Sequence, residues 1–188
     1  YASAMKYFLI FSLLAFLVVM LYLDILRHLV NSQYWEGLSV VAIVMGAEIL
    51  KGIYFNLSFW YKLIDETKWG AYFSIVGCAV IMLMNIMLVP KYGYVASAWA
   101  SVAGYGVITI LSYWLGQKKY PIKYDIKGIG KYMLLAALLY VASSLIPVHN
   151  FYLRMLFHTV LLVVFLAYVT KSDLPLKQIP ILNRFARK

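Results

Sequence analysis

The chain has 188 residues, of which 64% are hydrophobic and only 13% are charged. A soluble domain has roughly 45–50% apolar and about 25% charged residues, so the composition excludes an ordinary soluble protein and predicts an integral membrane protein. The only cysteine, Cys78, excludes an intrachain disulfide and a multi-cysteine metal site.

The formal net charge of +10 does not indicate nucleic acid as a partner. The basic residues lie mainly in short connections between apolar runs and at the C-terminus, where membrane proteins carry their topology signal. The chain begins with Tyr-Ala-Ser-Ala, without an initiator Met and without a visible signal peptide. This beginning predicts that residue 1 is an internal point of a longer polypeptide.

Apolar runs long enough to cross a hydrocarbon core of about 30 Å recur along the whole chain. We predict an all-α integral membrane protein of about six transmembrane helices. The predicted spans are residues 5–23, 38–61, 69–89, 94–115, 132–148 and 151–169, and residues 171–188 form a basic cytoplasmic tail.

The connections between the spans differ in character. Residues 24–37 are predicted to form an amphipathic interfacial connector, and a solvated loop with a helical beginning is an equally good interpretation. Residues 90–93, Pro-Lys-Tyr-Gly, predict a tight turn that makes the third and fourth spans an antiparallel hairpin. Residues 117–131 are predicted to be the longest polar loop.

Small residues at i+4 spacing predict close helix packing in two spans. They are Gly70, Ser74 and Cys78 in the third span, and Ala96, Ala100 and Gly104 in the fourth.

The basic residues predict the orientation. With six spans, one side of the membrane carries Lys6, Lys62, Lys68, Lys118, Lys119, Lys123, Lys127, Lys131, Lys171, Lys177, Arg184, Arg187 and Lys188. The other side carries only Arg27, Lys91 and Arg154. Because cytoplasmic loops are enriched in Lys and Arg, both ends of the chain are predicted to be cytoplasmic.

Glu48 and Lys51 are charged residues inside the second predicted span. On a helix they share one stripe with Phe55, Phe59 and Lys62. An ionised side chain near the bilayer centre costs at least about 2.5–3.5 kcal/mol, so such groups pair with one another or face a bundle interior or a wet cavity. The pair therefore either locks the helix to a neighbour or lines a translocation cavity.

Other polar and aromatic residues at membrane depth are weaker candidates for cavity lining. Arg154 is interpreted mainly as an interfacial anchor and His158 as a hydrogen-bonded interior residue. Aromatic residues such as Trp60 and Tyr105 suit either sugar stacking or packing. The full set of candidate cavity residues is Glu48, Lys51, Asn56, Trp60, Asn85, Tyr105, Arg154 and His158.

No catalytic constellation is visible. The sequence lacks an HExxH motif and a Walker loop, and its histidines are scattered. We therefore predict no catalytic residues, no metal site and no cofactor, and we do not expect an enzyme.

Three stretches carry a family resemblance. They are YFNLSFWYKLIDETKWGAYFS at residues 54–74, NIMLVPKYGYVASAWAS at residues 85–101, and SYWLGQKKYPIKYD at residues 112–125. They resemble the C-terminal half of Wzx-type lipid-linked oligosaccharide flippases, which belong to the multidrug/oligosaccharidyl-lipid/polysaccharide superfamily of MATE-like transporters, in their Bacteroides-type versions.

This resemblance implies one lobe of a two-lobed transporter in the bacterial inner membrane. The cargo would be an undecaprenyl-pyrophosphate-linked oligosaccharide for polysaccharide, O-antigen or capsule biosynthesis, and transport would be driven by a coupling ion, H⁺ or Na⁺. The implied partners are this cargo, membrane lipid and a missing N-terminal lobe of the same polypeptide. In this interpretation Lys51, and less so Arg154, meets the phosphates, Glu48 is the coupling group, and Asn56, Asn85 and aromatic residues contact sugar.

Three other classes compete with the flippase. A cation-coupled drug or metabolite exporter of the same superfamily would carry an organic cation. A membrane enzyme acting on polyprenyl-linked sugars should have a sizeable outer loop. A structural membrane subunit predicts polar groups that pair internally and no open cavity.

Overall fold

The computed structural model describes residues 2–145 and 151–172, and every regular element in this part is helical. The α-helices are α1 (Ala2–Leu21), α2 (Leu23–Leu26), α3 (Val41–Leu57), α4 (Phe59–Leu63), α5 (Lys68–Tyr92), α6 (Tyr94–Lys119), α7 (Ile126–Leu145) and α8 (Phe151–Ser172). Two 3₁₀ segments, Arg27–Leu29 and Ser32–Val40, precede α3. Within these residues, six segments are long and apolar enough to cross a membrane, which confirms the predicted all-α membrane fold.

The second membrane segment, Ser32–Leu63, combines a 3₁₀ segment with α3 and α4. A turn at Ser58 separates the two α-helices, and the Ser58 hydroxyl donates a 2.6 Å hydrogen bond to the carbonyl of Phe55. The stripe from Glu48 to Lys62 is therefore not one uninterrupted helix. Its outer members Phe55, Phe59 and Lys62 are nevertheless all exposed.

The fifth membrane helix begins earlier than predicted, at Ile126 rather than residue 132. The physical reason is an N-cap: the Asp125 carboxylate accepts a 3.0 Å hydrogen bond from the backbone N–H of Gly128. The predicted loop over residues 117–131 shrinks accordingly, because α6 also continues to Lys119. Most of the predicted basic tail, residues 173–188, lies outside the described residues.

The Asp125 cap gives a prediction about acid sensitivity. The Gly128 N–H and then the Lys6 ammonium hold the pKa of the Asp125 carboxyl below its usual range. Such a carboxyl stabilises the fold above the unfolded-state pKa of about 3.9, and this stabilisation is lost as the pH falls through the lower folded-state pKa. We expect acidification from about pH 6 to about pH 3 to lower the Tm of the parent protein more than that of Asp125→Asn, which keeps a capping oxygen.

Asp65→Asn is the control for that measurement. Asp65 lies in the turn after α4 with a φ of 54°, which asparagine also tolerates, and it forms no ion pair within residues 2–145 and 151–172. Its substitution should leave the acid-induced loss of Tm unchanged. Equal losses in the parent and Asp125→Asn would contradict the account of the cap.

Contacts at the two ends of the molecule show that the membrane helices alternate in direction. At one end Lys6 Nζ lies 3.1 Å from Asp125 Oδ2, and Lys119 pairs with Glu66. At the opposite end Arg154 Nη2 lies 3.1 Å from Asp24 Oδ2. Each pair joins helix ends that an up-and-down path of six spans places on the same side.

The connector between the first two spans is ordered by one tryptophan. Trp35 Nε1 lies 3.1 Å from the carbonyl oxygens of both Arg27 and Val30, and the Arg27 guanidinium stacks 4.0 Å from the Trp35 ring centroid. The predicted connector over residues 24–37 is thus a compact set of short helical turns. Its residues are mostly exposed, which fits an interfacial position.

The larger of two hydrophobic clusters formed by the described residues is built around α1. Leucines at i+4 spacing, Leu9, Leu13, Leu17 and Leu21, are all buried and form one stripe. The cluster is completed from α3, α7 and α8 by Ile53, Leu57, Ile129, Tyr132, Ala136, Leu139, Phe165 and Val169. This stripe joins α7 and α8 to the other membrane helices.

Helices α5 and α6 form the predicted hairpin, but its turn is shorter than residues 90–93. Pro90 lies inside the last turn of α5, and only Gly93 separates the two helices. Gly93 has a φ of 61°, which glycine adopts without the steric cost of a side chain. The hairpin is therefore tight enough to bring the two helices together along their length.

The helix-packing stripe predicted in α6 is present and longer than predicted. Ala96, Ala100 and Gly104 are buried, and the same i+4 spacing continues through the buried residues Ile108, Ser112 and Gly116. This continuous narrow face lets α6 pack against both α5 and α3.

The small-residue stripe predicted in α5 does not mediate the hairpin. Gly77 faces α6 instead, and a Cβ on Gly104 would lie 3.2 Å from the Gly77 carbonyl oxygen. Ser74 and Cys78 are exposed, and the Ser74 hydroxyl donates to the Gly70 carbonyl at 2.8 Å. The predicted packing seam is therefore wrong at Ser74 and Cys78, and the buried face of α5 lies about one residue further round the helix, at Gly77. Gly70 does pack closely, because a Cβ there would lie 3.1 Å from the Tyr61 hydroxyl oxygen.

Candidate functional site

A cleft of about 450 Å³ lies between α3, α5 and α6. Its wall is mostly apolar, with a few polar groups. The lining residues are Lys51, Tyr54, Phe55, Ser74, Gly77, Cys78, Ile81, Met82, Tyr105 and Ile108. A mostly apolar cleft with few convergent polar groups is the usual form of a ligand site.

Among the residues that the structure describes, Lys51 is the only charged one in the wall of this cleft. Its Nζ lies 3.2 Å from Glu48 Oε2 and 5.6 Å from the centroid of the Tyr105 ring. Both residues of the ion pair fall near the middle of the 32-residue membrane segment Ser32–Leu63. A full positive charge is thereby placed at membrane depth beside an aromatic ring.

The Glu48–Lys51 pair is open rather than sealed. The exposed fractions of the side chains are 37% for Lys51 and 58% for Glu48. An exposed pair of this kind contributes at most about 1 kcal/mol to stability in water, and lipid is an unfavourable environment for it. The open side of the pair therefore requires either water or another polar surface.

Helix α6 positions Tyr105 over Lys51. The Thr109 hydroxyl, one helical turn after Tyr105, lies 2.6 Å from the Tyr105 carbonyl oxygen and 3.1 Å from the Leu50 carbonyl oxygen. The second contact crosses from α6 to α3 next to Lys51. It fixes the register in which the phenol ring and the ammonium group meet.

Trp60 does not line the cleft. It is only 1% exposed and packs against Tyr61, Trp69 and Phe73, while its indole N–H donates to the Ser112 hydroxyl at 3.3 Å. Trp60 is therefore a packing residue, and its ring is too buried to stack on a sugar. Gly116 is the reason that the ring fits, because a Cβ there would lie 2.7 Å from Trp60 Cδ1.

The two predicted asparagines are satisfied within their own helices. The Asn56 side-chain amide donates to the Gly52 carbonyl at 3.0 Å, and the Asn85 amide donates to the Ile81 carbonyl at 2.8 Å. These bonds explain how both residues are accommodated in apolar helices. Asn56 and Asn85 are half-buried, and neither lines the cleft.

Arg154 and His158 lie on α8 and do not line the cleft. Arg154 pairs with Asp24, and His158 is buried with its Nε2 3.0 Å from the Ser143 hydroxyl. The structure thus separates both residues from Lys51. Their contacts fit the anchor and interior roles that the sequence favoured for them.

Several cleft residues were not predicted as site residues. Phe55 belongs to the charged stripe, and Ser74 and Cys78 were predicted only as helix-packing residues. Tyr54 and Met82 were not singled out. The exposed Cys78 and Ser74 share a face of α5 that a sequence pattern of small residues does not distinguish from a packing face. Only the rotation of α5 relative to α6 in the structure shows that this face lines the cleft.

The cleft offers anion recognition and aromatic stacking. An ammonium group supplies three hydrogen-bond donors, and phosphate is among its best acceptors. Within the described ranges, no group of three or more His, Cys, Asp or Glu side chains is placed to hold a metal ion. Comparisons with protein-family models, curated proteins and solved structures found no match.

Proposed function

We propose that this chain is one lobe of a membrane transporter that flips an undecaprenyl-pyrophosphate-linked oligosaccharide across the bacterial inner membrane, with both ends of the lobe cytoplasmic. The observation that carries the proposal is the position of Lys51, which lies at mid-membrane depth and opens into the cleft between α3, α5 and α6. The sequence resemblance to Wzx-type flippases supports the same cargo.

In this proposal each cleft residue has a defined role. Lys51 binds the pyrophosphate, because a charge-assisted hydrogen bond is stronger than a hydrogen bond between neutral groups. Tyr105 presents its ring to the first sugar while the polyprenyl tail remains in lipid. Glu48 neutralises Lys51 in the empty site and exchanges this partner for H⁺ or Na⁺ when the phosphate arrives.

A structural membrane subunit is the second candidate. It is favoured by the mutual pairing of Glu48 and Lys51, which leaves neither charge without a counterion. The cleft beside the pair favours a transporter, because an ion pair that only holds helices together does not require a cavity next to it. An exporter of organic cations would instead rely on Glu48, which is not among the residues that line the cleft.

Cys78 provides a direct test of whether the cleft is wet. It lies in the cleft wall, and a thiol reacts with a charged maleimide only where water supports the thiolate. We expect a membrane-impermeant maleimide to label Cys78 in membrane vesicles containing the complete polypeptide, with any other cysteine replaced by serine.

The control places the cysteine on an apolar surface outside the cleft. Leu138 of α7 is 58% exposed and does not line it, so Leu138→Cys in a Cys78→Ser background should remain unlabelled. Labelling of the Leu138→Cys protein alone, or of neither protein, would favour the structural subunit over the transporter.

A further inference from the structure

One end of the lobe, here called the basic end, carries far more lysines than acids. In the described part of the chain its lysines are Lys6, Lys62, Lys68, Lys118, Lys119, Lys123, Lys127 and Lys131, and its acids are Asp65, Glu66 and Asp125. Ion pairs already occupy Glu66 and Asp125. The excess of positive charge is therefore not neutralised within the described residues.

The opposite end is nearly balanced. In the described ranges it carries Arg27, Lys91 and Arg154 against Asp24 and Glu36, and Arg154 is paired with Asp24. The charge asymmetry is consequently a property of one end and not of the whole surface.

The exposed face of α6 shows how the basic end meets the membrane. Ile110, Trp114 and Lys118 follow one another at i+4 spacing, and the first two are 69% and 55% exposed. With a rise of 1.5 Å per residue, this stripe spans about 12 Å. Its order, aliphatic then aromatic then basic, is the order of hydrocarbon, interface and headgroup.

Lys118 is held in place by its neighbour. Its Nζ lies 3.7 Å from the centroid of the Trp114 ring, a cation–π contact that orders the long side chain at the surface. The cation–π contact is an electrostatic attraction and not a conventional hydrogen bond to the ring. The N–H groups of the Lys118 ammonium therefore remain available to donate to an external anion.

Helix α5 repeats the pattern beside α6. Lys68, Tyr72 and Val76 have the same i+4 spacing and are all exposed. Trp69 packs against Tyr72 at 5.8 Å between ring centroids and lies 4.9 Å from Lys119 Nζ. Two adjacent helices therefore present the same sequence of layers at the basic end.

We propose that the basic end is a binding surface for the headgroups of anionic phospholipids, with Lys118 on Trp114 as its principal contact. The phosphate and its ester oxygens accept from the lysines, and the acyl chains lie along Ile110. Exposed aliphatic and aromatic side chains next to the lysines favour a lipid over a soluble polyanion. The proposal does not depend on what the lobe transports.

The test compares phosphatidylglycerol with phosphatidylcholine of the same acyl chains. Lipids bound to the purified complete polypeptide are measured by native mass spectrometry in a mild detergent. A surface lysine contributes a factor of about five in affinity for an anionic membrane, so Lys118→Gln should weaken phosphatidylglycerol binding by about fivefold. Phosphatidylcholine binding should not change.

Lys91→Gln is the matched control, because Lys91 is an exposed lysine at the opposite end. It should leave phosphatidylglycerol binding unchanged. An unaltered affinity in Lys118→Gln, or an equal loss in Lys91→Gln, overturns the proposal. Displacement of the lipid by inorganic phosphate at equal concentration also overturns it, because that result identifies a site for free anions.

Discussion

Gly104→Ala is expected to destabilise the protein by about 1–3 kcal/mol, the usual cost of overpacking a well-packed contact. A Cβ at this position would overlap Ile81 of α5 and approach the Gly77 carbonyl oxygen to 3.2 Å. Backbone atoms relax less easily than a flexible side chain, so α5 and α6 must move apart. The measurement is the unfolding free energy in mixed detergent micelles.

Gly106→Ala controls for the intrinsic effect of the substitution. A Cβ on Gly106, two residues further along the same helix, meets no atom within 4 Å. Because alanine favours helix over glycine by up to about 1 kcal/mol, this variant should be as stable as the parent protein or more stable. A loss of stability of the same size in both variants would contradict close packing at Gly104.

Much of this packing was predictable from the sequence, since apolar run length and i+4 spacing fix which segments cross the membrane and which face of α6 is narrow. The rotation of α5 was not predictable. Small residues lie on two adjacent faces of α5: Ser74 and Cys78 on one, and Gly77 on the other. Only the contacts of Gly77 with Ile108 and Gly104 show which face packs against α6.

The start of α7 was missed for a local reason. Lys127, Gly128, Gly130 and Lys131 read as loop residues by composition, because glycine weakens a helix and lysines are polar. The Asp125 cap and the burial of Ile129 outweigh that preference. The predicted turn over residues 90–93 is too long because proline was expected to end the helix. The last turn of α5 accommodates Pro90.

The candidate site was predictable in its central pair and in Tyr105, which was a predicted cavity residue and lines the cleft. Glu48 and Lys51 could be identified from the sequence because charged residues are unfavourable inside a membrane span. The predicted residues outside the cleft are polar or aromatic for reasons visible only in three dimensions: Trp60 fills the space over Gly116, and Arg154 neutralises Asp24. The sequence alone does not distinguish residues that pair internally from residues that line a cavity.

Lys51→Met is the substitution expected to affect transport most. Methionine is similar in length and apolar, so α3 should remain folded while the cleft wall loses the ammonium group of Lys51. Charge-assisted hydrogen bonds contribute about 1.5–3 kcal/mol, which corresponds to a loss of about tenfold or more in apparent affinity for the lipid-linked cargo. The measurement is flipping of a fluorescent lipid-linked oligosaccharide by the complete polypeptide in proteoliposomes.

Lys62→Met is the matched control for this assay. Lys62 lies on the same stripe but at the end of α4, where its Nζ sits 5.4 Å from the Phe59 ring and outside the cleft. Its loss should change flipping by less than about twofold, the scale of a surface charge effect. Undiminished flipping in Lys51→Met would remove Lys51 from the mechanism.

The central claim is that the Glu48–Lys51 pair serves cargo and not merely helix packing, and charge reversal of the pair tests it most directly. The double variant Glu48→Lys with Lys51→Glu retains an i, i+3 ion pair on α3, so a structural role predicts normal stability and normal flipping. If the pair serves cargo, we expect normal stability but flipping reduced at least as much as in Lys51→Met, because a carboxylate then occupies the cleft wall. Parental flipping rates in the charge-reversed protein would contradict the account.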